Sequence, residues 1–331
     1  MASIVDVAAA AGVSRQTVSN VLNAPERVRP ETRERVEAAI AELGYRPNSG
    51  ARNLRSKRSG LIGVDLAPTG PDEVSPVLDQ FVHALSEAAA EHGYHVMIFP
   101  RGHDARDTHL PLIETRTVDG FVLVDTDRDD RRAKLLAERS VPFVTFGRTG
   151  EASAHDVIDV DGSAGGRMVA SHLREGRCTE AAFIGWPEGS LAGDARLQGF
   201  LDGWIDQDGR PLQVAVRRHR NRVDEAVGAV RDLVAEADRV PDAIVAVSDL
   251  LAVGVIRGLR SIGLQAGRDV RVVGFDDAPI AAHLDPPLTT VRQPLAEVAA
   301  RVVQRFVARL HAPDAPVVLD LLTPELVVRD T

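Results

Sequence analysis

Cysteine occurs once in 331 residues, at Cys178, so no intramolecular disulfide can form and no multi-cysteine metal or cluster site can be built. A lone thiol in this setting reads as a small packed hydrophobe. Long apolar runs are missing: none approaches the ~20 residues that a membrane-spanning helix requires, so no membrane partner is expected. The opening MASIVDVAAAAGVS is alanine-rich, but Asp6 interrupts it and no basic residue precedes Arg15. It therefore lacks the charged start of an export signal, and the expected location is the cytoplasm. Motifs that carry catalysis are also missing. There is no phosphate-binding P-loop, no GxGxxG after a strand, no GxSxG elbow and no HExxH, so neither an enzyme nor a bound cofactor is expected. His92 with His95, and His103 with His109, have no carboxylate or cysteine partners at ligand spacing; solvated histidines are expected there, and no metal.

What is present is length, and charge unevenly spread. A chain of 331 residues with 44% hydrophobic and 26% charged residues can bury two or three separate cores. The net charge of -9 conceals two opposite parts: residues 1–58 hold ten Lys/Arg against six Asp/Glu, leaving 29 basic against 42 acidic residues beyond. A basic head on an acidic body suits a segment that meets a polyanion, joined to a domain with other business.

Within the head, Ser3 and Asp6 form a capping-box pattern, and Ile4, Val7, Ala8 and Ala11 keep helical spacing up to Gly12. Ser14 can cap a second helix whose Val18, Val21 and Leu22 face inward while Arg15, Gln16, Ser19 and Asn20 share the opposite face. A third helix has Pro30 in its first turn, Val36, Ile40 and Leu43 on one stripe, and Gly44 just past its end. The stretch VAAAAGVSRQTVSNVL thus has helix-turn-helix spacing, with alanines allowing close approach and glycine at the turn. On its outer face Arg15 can bond guanine O6 and N7, and Gln16 or Asn20 can bond adenine N6 and N7.

Residues 47–60, PNSGARNLRSKRSG, read as a polar, basic linker. Beyond them, β-rich runs alternate with helical stretches in two series: LIGVDL, HVMIF, GFVLV and PFVTF, then AAFIG, QVAVRR, AIVAV and RVVGF. Such alternation predicts parallel sheets covered on both faces, here as two similar lobes. Ligands of such sheets bind beyond the carboxyl ends of the strands, which directs attention to Asp125, Arg148, Ser248, Asp249, Asp276 and Asp277.

The head closely resembles the LacI/GalR family of bacterial transcription regulators, in IVDVAAAAGVSRQTVSNVLN, VRPETRERVEAAIAELGYRPN and SGARNLRSKRSGLIGV. The likeness continues through DGSAGG, ARLQGF, SDLLAVG, VVGFDD, PPLTTVRQP and PELVVR. It implies an α/β chain: an N-terminal helix-turn-helix headpiece over 1–46, a hinge helix over 47–59, and a type I periplasmic-binding-protein-like core of two Rossmann-like lobes over 60–331. The first lobe would take about 60–160 and 291–318, the second about 161–290 and 319–331. It further implies a homodimer on palindromic operator DNA, controlled by a sugar or polyol effector.

Carried over by position, base reading falls on Arg15, Gln16 and Asn20, with phosphate or supporting contacts from Ser14, Ser19, Asn23, Thr32 and Tyr45. Arg29 stands where the family often has a serine or threonine cap, which implies a lost cap and an added phosphate contact. In the hinge, Asn48, Ala51 and Leu54 match a minor-groove helix with the leucine as an apolar wedge, and Arg52 supplies charge beside it. Effector contacts fall on Arg196 and Asp276, with Ser248, Asp249, Arg148 and Asp125 nearby. Ser248 stands where some sugar-binding members carry asparagine. Asp249 also reads as the cap of the helix it opens, and Asp277 as structural. Two competing classes are a two-lobed solute-binding receptor, opposed by the helix-turn-helix, and a Rossmann-type enzyme, opposed by the missing glycine loop.

Overall fold

A computed structural model describes residues 2–45, 58–67, 75–150, 154–236 and 239–331. By internal contacts the chain divides into Met1–Ser59 and Gly60–Thr331. In the first unit, α1 (Ile4–Ala10) opens with the reciprocal Ser3–Asp6 capping box, and the Ser14 side chain caps α2 (Arg15–Asn23). Gly12 sits at φ +65 between them, a turn that glycine adopts without steric cost. Val7, Ala8, Val18, Val21 and Val36 close a small core against α3 (Pro30–Glu42).

Arg29 occupies the N-cap of α3 without bonding its backbone donors. Arg29→Ser should therefore raise the thermal stability of the head by about 1 kcal/mol, measured by its melting transition, because a hydroxyl at that place accepts from an otherwise orphaned N–H.

The second unit holds two parallel sheets. The first has strand order β11-β5-β4-β3-β1-β2, formed by β1 (Leu61–Leu66), β2 (His95–Pro100), β3 (Gly120–Leu123), β4 (Phe143–Phe146), β5 (Asp156–Val160) and β11 (Leu319–Leu322). The second has the order β7-β6-β8-β9, from β6 (Glu180–Gly185), β7 (Gln213–Arg218), β8 (Ala243–Ala246) and β9 (Arg271–Val273). The inner strands β3 (GFVL) and β8 (AIVA) are apolar throughout because both faces are covered. Phe121 and Leu123 of β3 pack into one cluster, whereas Val122 and the following Val124 pack into another beside Phe81 and Phe306. The buried Cys178 joins the core of the second lobe.

Two expectations about the lobes need correction. Residues 319–322 do not join the second lobe: β11 pairs in parallel with β5, Leu319 opposite Val157, and so forms an edge of the first sheet. Residues 291–292 do not join the first lobe either. In β10 (Thr290–Arg292), Val291 packs in the second-lobe core and pairs with β12 (Glu325–Val327), so the chain crosses after Arg292 and enters the first lobe with the helix at Leu295–His311. His109 is likewise not solvated. It is fully buried between Phe99 and Phe121, where desolvation lowers its pKa. Among the described residues no cluster of His, Cys, Asp or Glu could hold a metal, and no helix is long and apolar enough to cross a membrane.

Candidate functional site

A cleft of about 280 Å³ lies between the lobes, walled largely by residues that end or follow strands. Asp125 follows β3, Arg148 follows β4, Asp159 lies in β5, Trp186 follows β6, Asn221 follows β7, and Asp249 and Asp276 follow β8 and β9. Parallel strands deliver their carboxyl ends, and so their loops, to one rim.

Arg196 reaches this cleft from α8 (Leu191–Gly203) and is only 7% exposed. Its guanidinium donates from Nη1 to the Val247 carbonyl at 2.6 Å and to Asp276 Oδ1 at 3.3 Å. Its central carbon lies 3.8 Å from the Phe275 ring centre and 5.1 Å from that of Trp186. Gln293 Nε2 donates to the same Asp276 Oδ1 at 2.7 Å, so among the described residues Asp276 Oδ2 has no protein donor. Burial raises the Asp276 pKa, and Arg196 with Gln293 offsets part of that rise. The backbone at Asp276 has φ +125, a conformation disfavoured for any side chain, fixed by its N–H donating to the Val291 carbonyl.

The helix α8 sits close because glycines line the contact with α7 (Gly162–Glu175). A Cβ on Gly199 would lie 2.1 Å from the Ser163 carbonyl oxygen, and one on Gly166 2.2 Å from that of Arg196. Gly199→Ala should push the helices apart, displace Arg196 from the cleft wall, and cost about 1–3 kcal/mol of stability in denaturant melts.

The remaining expected effector residues divide. Arg148 lines the cleft and donates from Nε to Asp159 Oδ2 at 2.9 Å, while burial raises the pKa of Asp159. Asp125 lines the wall with an exposed side chain. Ser248 does not line the cleft. It is the N-cap of α10 (Asp249–Ser261), accepts from Leu251 N, and donates to Asn221 Oδ1 at 2.6 Å. Asn221 thus supplies a cleft amide, held by the serine, from the loop after β7 and not from the SDLLAVG segment.

Asp249 is not the helix cap expected. Its Oδ2 accepts from Ala278 N at 2.7 Å and its Oδ1 from the Thr290 hydroxyl at 2.5 Å, which cross-links three segments behind the cleft. Burial, with Asp276 nearby, raises its pKa. Asp277 is structural as expected, held by Arg292 and Arg329. Trp186, Asn221, Asp159 and Gln293 were missed, although the rule of looking after strands points to the first two as well.

In the head, Arg15 and Gln16 of α2 are exposed, and Asn20 is half-buried. Gln16 Nε2 donates to Asn20 Oδ1 at 3.0 Å, so the two amides form one surface unit. Ser19 is buried, contrary to expectation: it follows Val18 directly and its small side chain lies at the edge of the inward stripe. Ser14 spends its hydroxyl as the cap. Arg29 is exposed, and Thr32 and Tyr45 are half-buried. The Asn23 side chain and the hinge residues Asn48, Ala51, Arg52 and Leu54 lie outside the described residues.

A two-lobed core with a polar interlobe cleft, in one chain with a helix-turn-helix head, defines the class of ligand-responsive DNA-binding regulators. Residues 3–48 match the bacterial regulatory proteins of the lacI family, and residues 170–331 a periplasmic binding protein-like domain. The regulator CelR of Thermobifida fusca is 33% identical over 98% of this chain and 96% of its own. The ribose operon repressor of Halalkalibacterium halodurans is 30% identical over 100% and 97%. The chain superposes on the Lac repressor dimer bound to operator and the anti-inducer ONPF with a TM-score of 0.83, at 27% identity and covering 100% of this chain and 98% of that one. Against a CelR–cellobiose complex the TM-score is 0.73, at 31% identity and 100% and 99% coverage. The chain belongs to the LacI family and is a DNA-binding transcription regulator.

Proposed function

We propose that this regulator represses genes of carbohydrate uptake or catabolism from a palindromic operator, as a cytoplasmic homodimer, and that a small sugar or polyol in the cleft sets its operator affinity. It acts by binding and not by catalysis. The observation that carries the effector reading is the buried Arg196–Asp276 pair with Oδ2 left over. An arginine fork donating and a carboxylate accepting from neighbouring hydroxyls is the donor set that vicinal diols need. Asn221 and the Arg148–Asp159 pair add further polar contacts around the same space.

Residues 1–46 read the duplex, with Arg15, Gln16 and Asn20 toward bases and Ser14, Asn23, Arg29, Thr32 and Tyr45 toward phosphates. Residues 47–59 fold over the minor groove with Leu54 as wedge and Asn48, Ala51 and Arg52 beside it. A helix of about eleven residues is marginal alone in water, so it forms when two copies pack on bent DNA. A sugar that binds the two lobe arrangements unequally changes that equilibrium without touching DNA, and operator must then alter sugar affinity by the same factor.

The test uses the full chain and a labelled inverted-repeat duplex selected from random sequence. Binding should prefer the repeat over random competitor, fall steeply with salt, and respond to one of cellobiose, ribose or maltose. Leu54→Ala should weaken operator binding with sugar affinity intact. No preference for any inverted repeat, with and without sugar, overturns the reading.

A further inference from the structure

Beneath the cleft wall lies a buried ion cluster that touches none of the cleft space. Asp65, at the end of β1, is fully buried and accepts one arginine on each oxygen: Arg132 Nη1 on Oδ1 at 2.8 Å and Arg101 Nε on Oδ2 at 2.7 Å. Asp130 takes the other side of Arg132, at 2.6 Å from Nη2. Two cations and two carboxylates balance, yet desolvating four charges is expensive, and an apolar cluster of the same volume would serve stability as well. The remaining donors show what an apolar cluster would not do.

Arg132 Nη2 donates to the carbonyls of Val124 at 3.0 Å and Asp125 at 3.1 Å, and Arg101 donates to the same two carbonyls at 2.8 and 3.4 Å. Those carbonyls flank the bend that carries Asp125 into the cleft, and Asp125 has φ +47, a left-handed conformation that aspartate tolerates but does not favour. The α6 helix (Arg131–Glu138) brings Arg132, β2 leads into Arg101, and β1 brings Asp65. Three elements of the first lobe thus hold the backbone of one cleft loop from behind.

We propose that Arg101 and Arg132, bridged by Asp65, are positioning residues for effector recognition: they fix the Val124–Asp125 bend and thereby the Asp125 carboxylate. This rests on the sugar-responsive reading above, but its first test does not. In Arg101→Lys and Arg132→Lys the charge facing Asp65 is kept and the fork onto the carbonyls is lost. Hydrogen exchange of the full chain should quicken at least tenfold in peptides covering 124–128 and stay unchanged in the second lobe. Unchanged exchange there, or equal loosening of both lobes, overturns the proposal. Arg101 is partly exposed, so Arg101→Lys keeps the test valid if Arg132→Lys fails to fold.

The second arm titrates cellobiose, ribose and maltose. For whichever of them binds wild type, Arg101→Lys should weaken binding about tenfold with operator affinity intact, and should add nothing in an Asp125→Ala background. An equal loss with and without the Asp125 carboxylate overturns the positioning role. Failure of wild type to bind any of the three would count against the effector reading, with the exchange result still deciding the cluster's role.

Discussion

Replacing Arg196 by methionine should abolish the response to sugar while the sugar-free protein still binds operator as wild type does. Methionine keeps an unbranched apolar body against Phe275 and Trp186, so the packing under the cleft survives and the loss is confined to the fork. Each charge-assisted bond from the guanidinium to a hydroxyl is worth about 1.5–3 kcal/mol, and losing two should weaken sugar binding by about 100-fold or more. Asp276 loses its cation, but burial already raises its pKa, so it takes up a proton where a fully ionised carboxylate would stay stranded. The sign of the pH effect follows. The folded state holds protons on Asp249 and Asp276 that the unfolded chain releases, so the contribution of these two groups to stability is greatest at low pH and is lost as pH rises above the ordinary carboxylate range. Arg196→Met should steepen that fall, read as melting temperature against pH. Calorimetric titration measures the first effect, and an unchanged dose response would remove Arg196 from the site.

Much of this arrangement is legible in sequence because doubly covered parallel strands are plain apolar runs, and because loops after such strands collect the ligand groups. GFVLV and AIVAV need no structure to be read, and Asp125, Arg148 and Asp276 follow from position alone. What hides the rest is charge placed where apolar residues are expected. The strand β5, DVIDV, carries aspartates at its first and fourth positions; Asp156 is paired with Arg305 and Arg309 of the long C-terminal helix and Asp159 with Arg148. Without those distant partners the segment reads as polar. The edge strand β11 shows the converse: its leucines Leu319 and Leu321 are exposed while Asp320 shares the inward face with buried Leu322, so no apolar-in, polar-out alternation announces it. Ser248 and Asp249 exchange the roles that sequence gives them because a cap needs only its own helix, whereas a cross-link to Ala278 and Thr290 exists only once the lobe has folded. The ion cluster of Asp65, Arg101 and Arg132 spans 67 positions of chain and leaves no local pattern.

Arg15→Ala should have the largest effect on DNA, because a palindrome doubles it. One bidentate arginine–guanine contact discriminates by about 1–3 kcal/mol, and a symmetric dimer loses two, or about 2–6 kcal/mol, a fall of roughly 30-fold to 10⁴-fold in operator affinity. Gln16→Ala should cost less. Gln16 and Asn20 are bonded to each other, so removing one amide frees the donor and acceptor of the other to face the base edge. The loss at Arg15 should also be selective: competition with operators substituted one base pair at a time should show relaxed preference at a single position in each half-site. Affinity for random duplex should change little, since that term comes from phosphate neutralisation. If Arg15 instead touches phosphate, loss will be uniform across sequences, and the slope of log affinity on log salt will fall by about 2 for the dimer. The two outcomes separate base reading from backbone anchoring at the exposed arginine that opens α2.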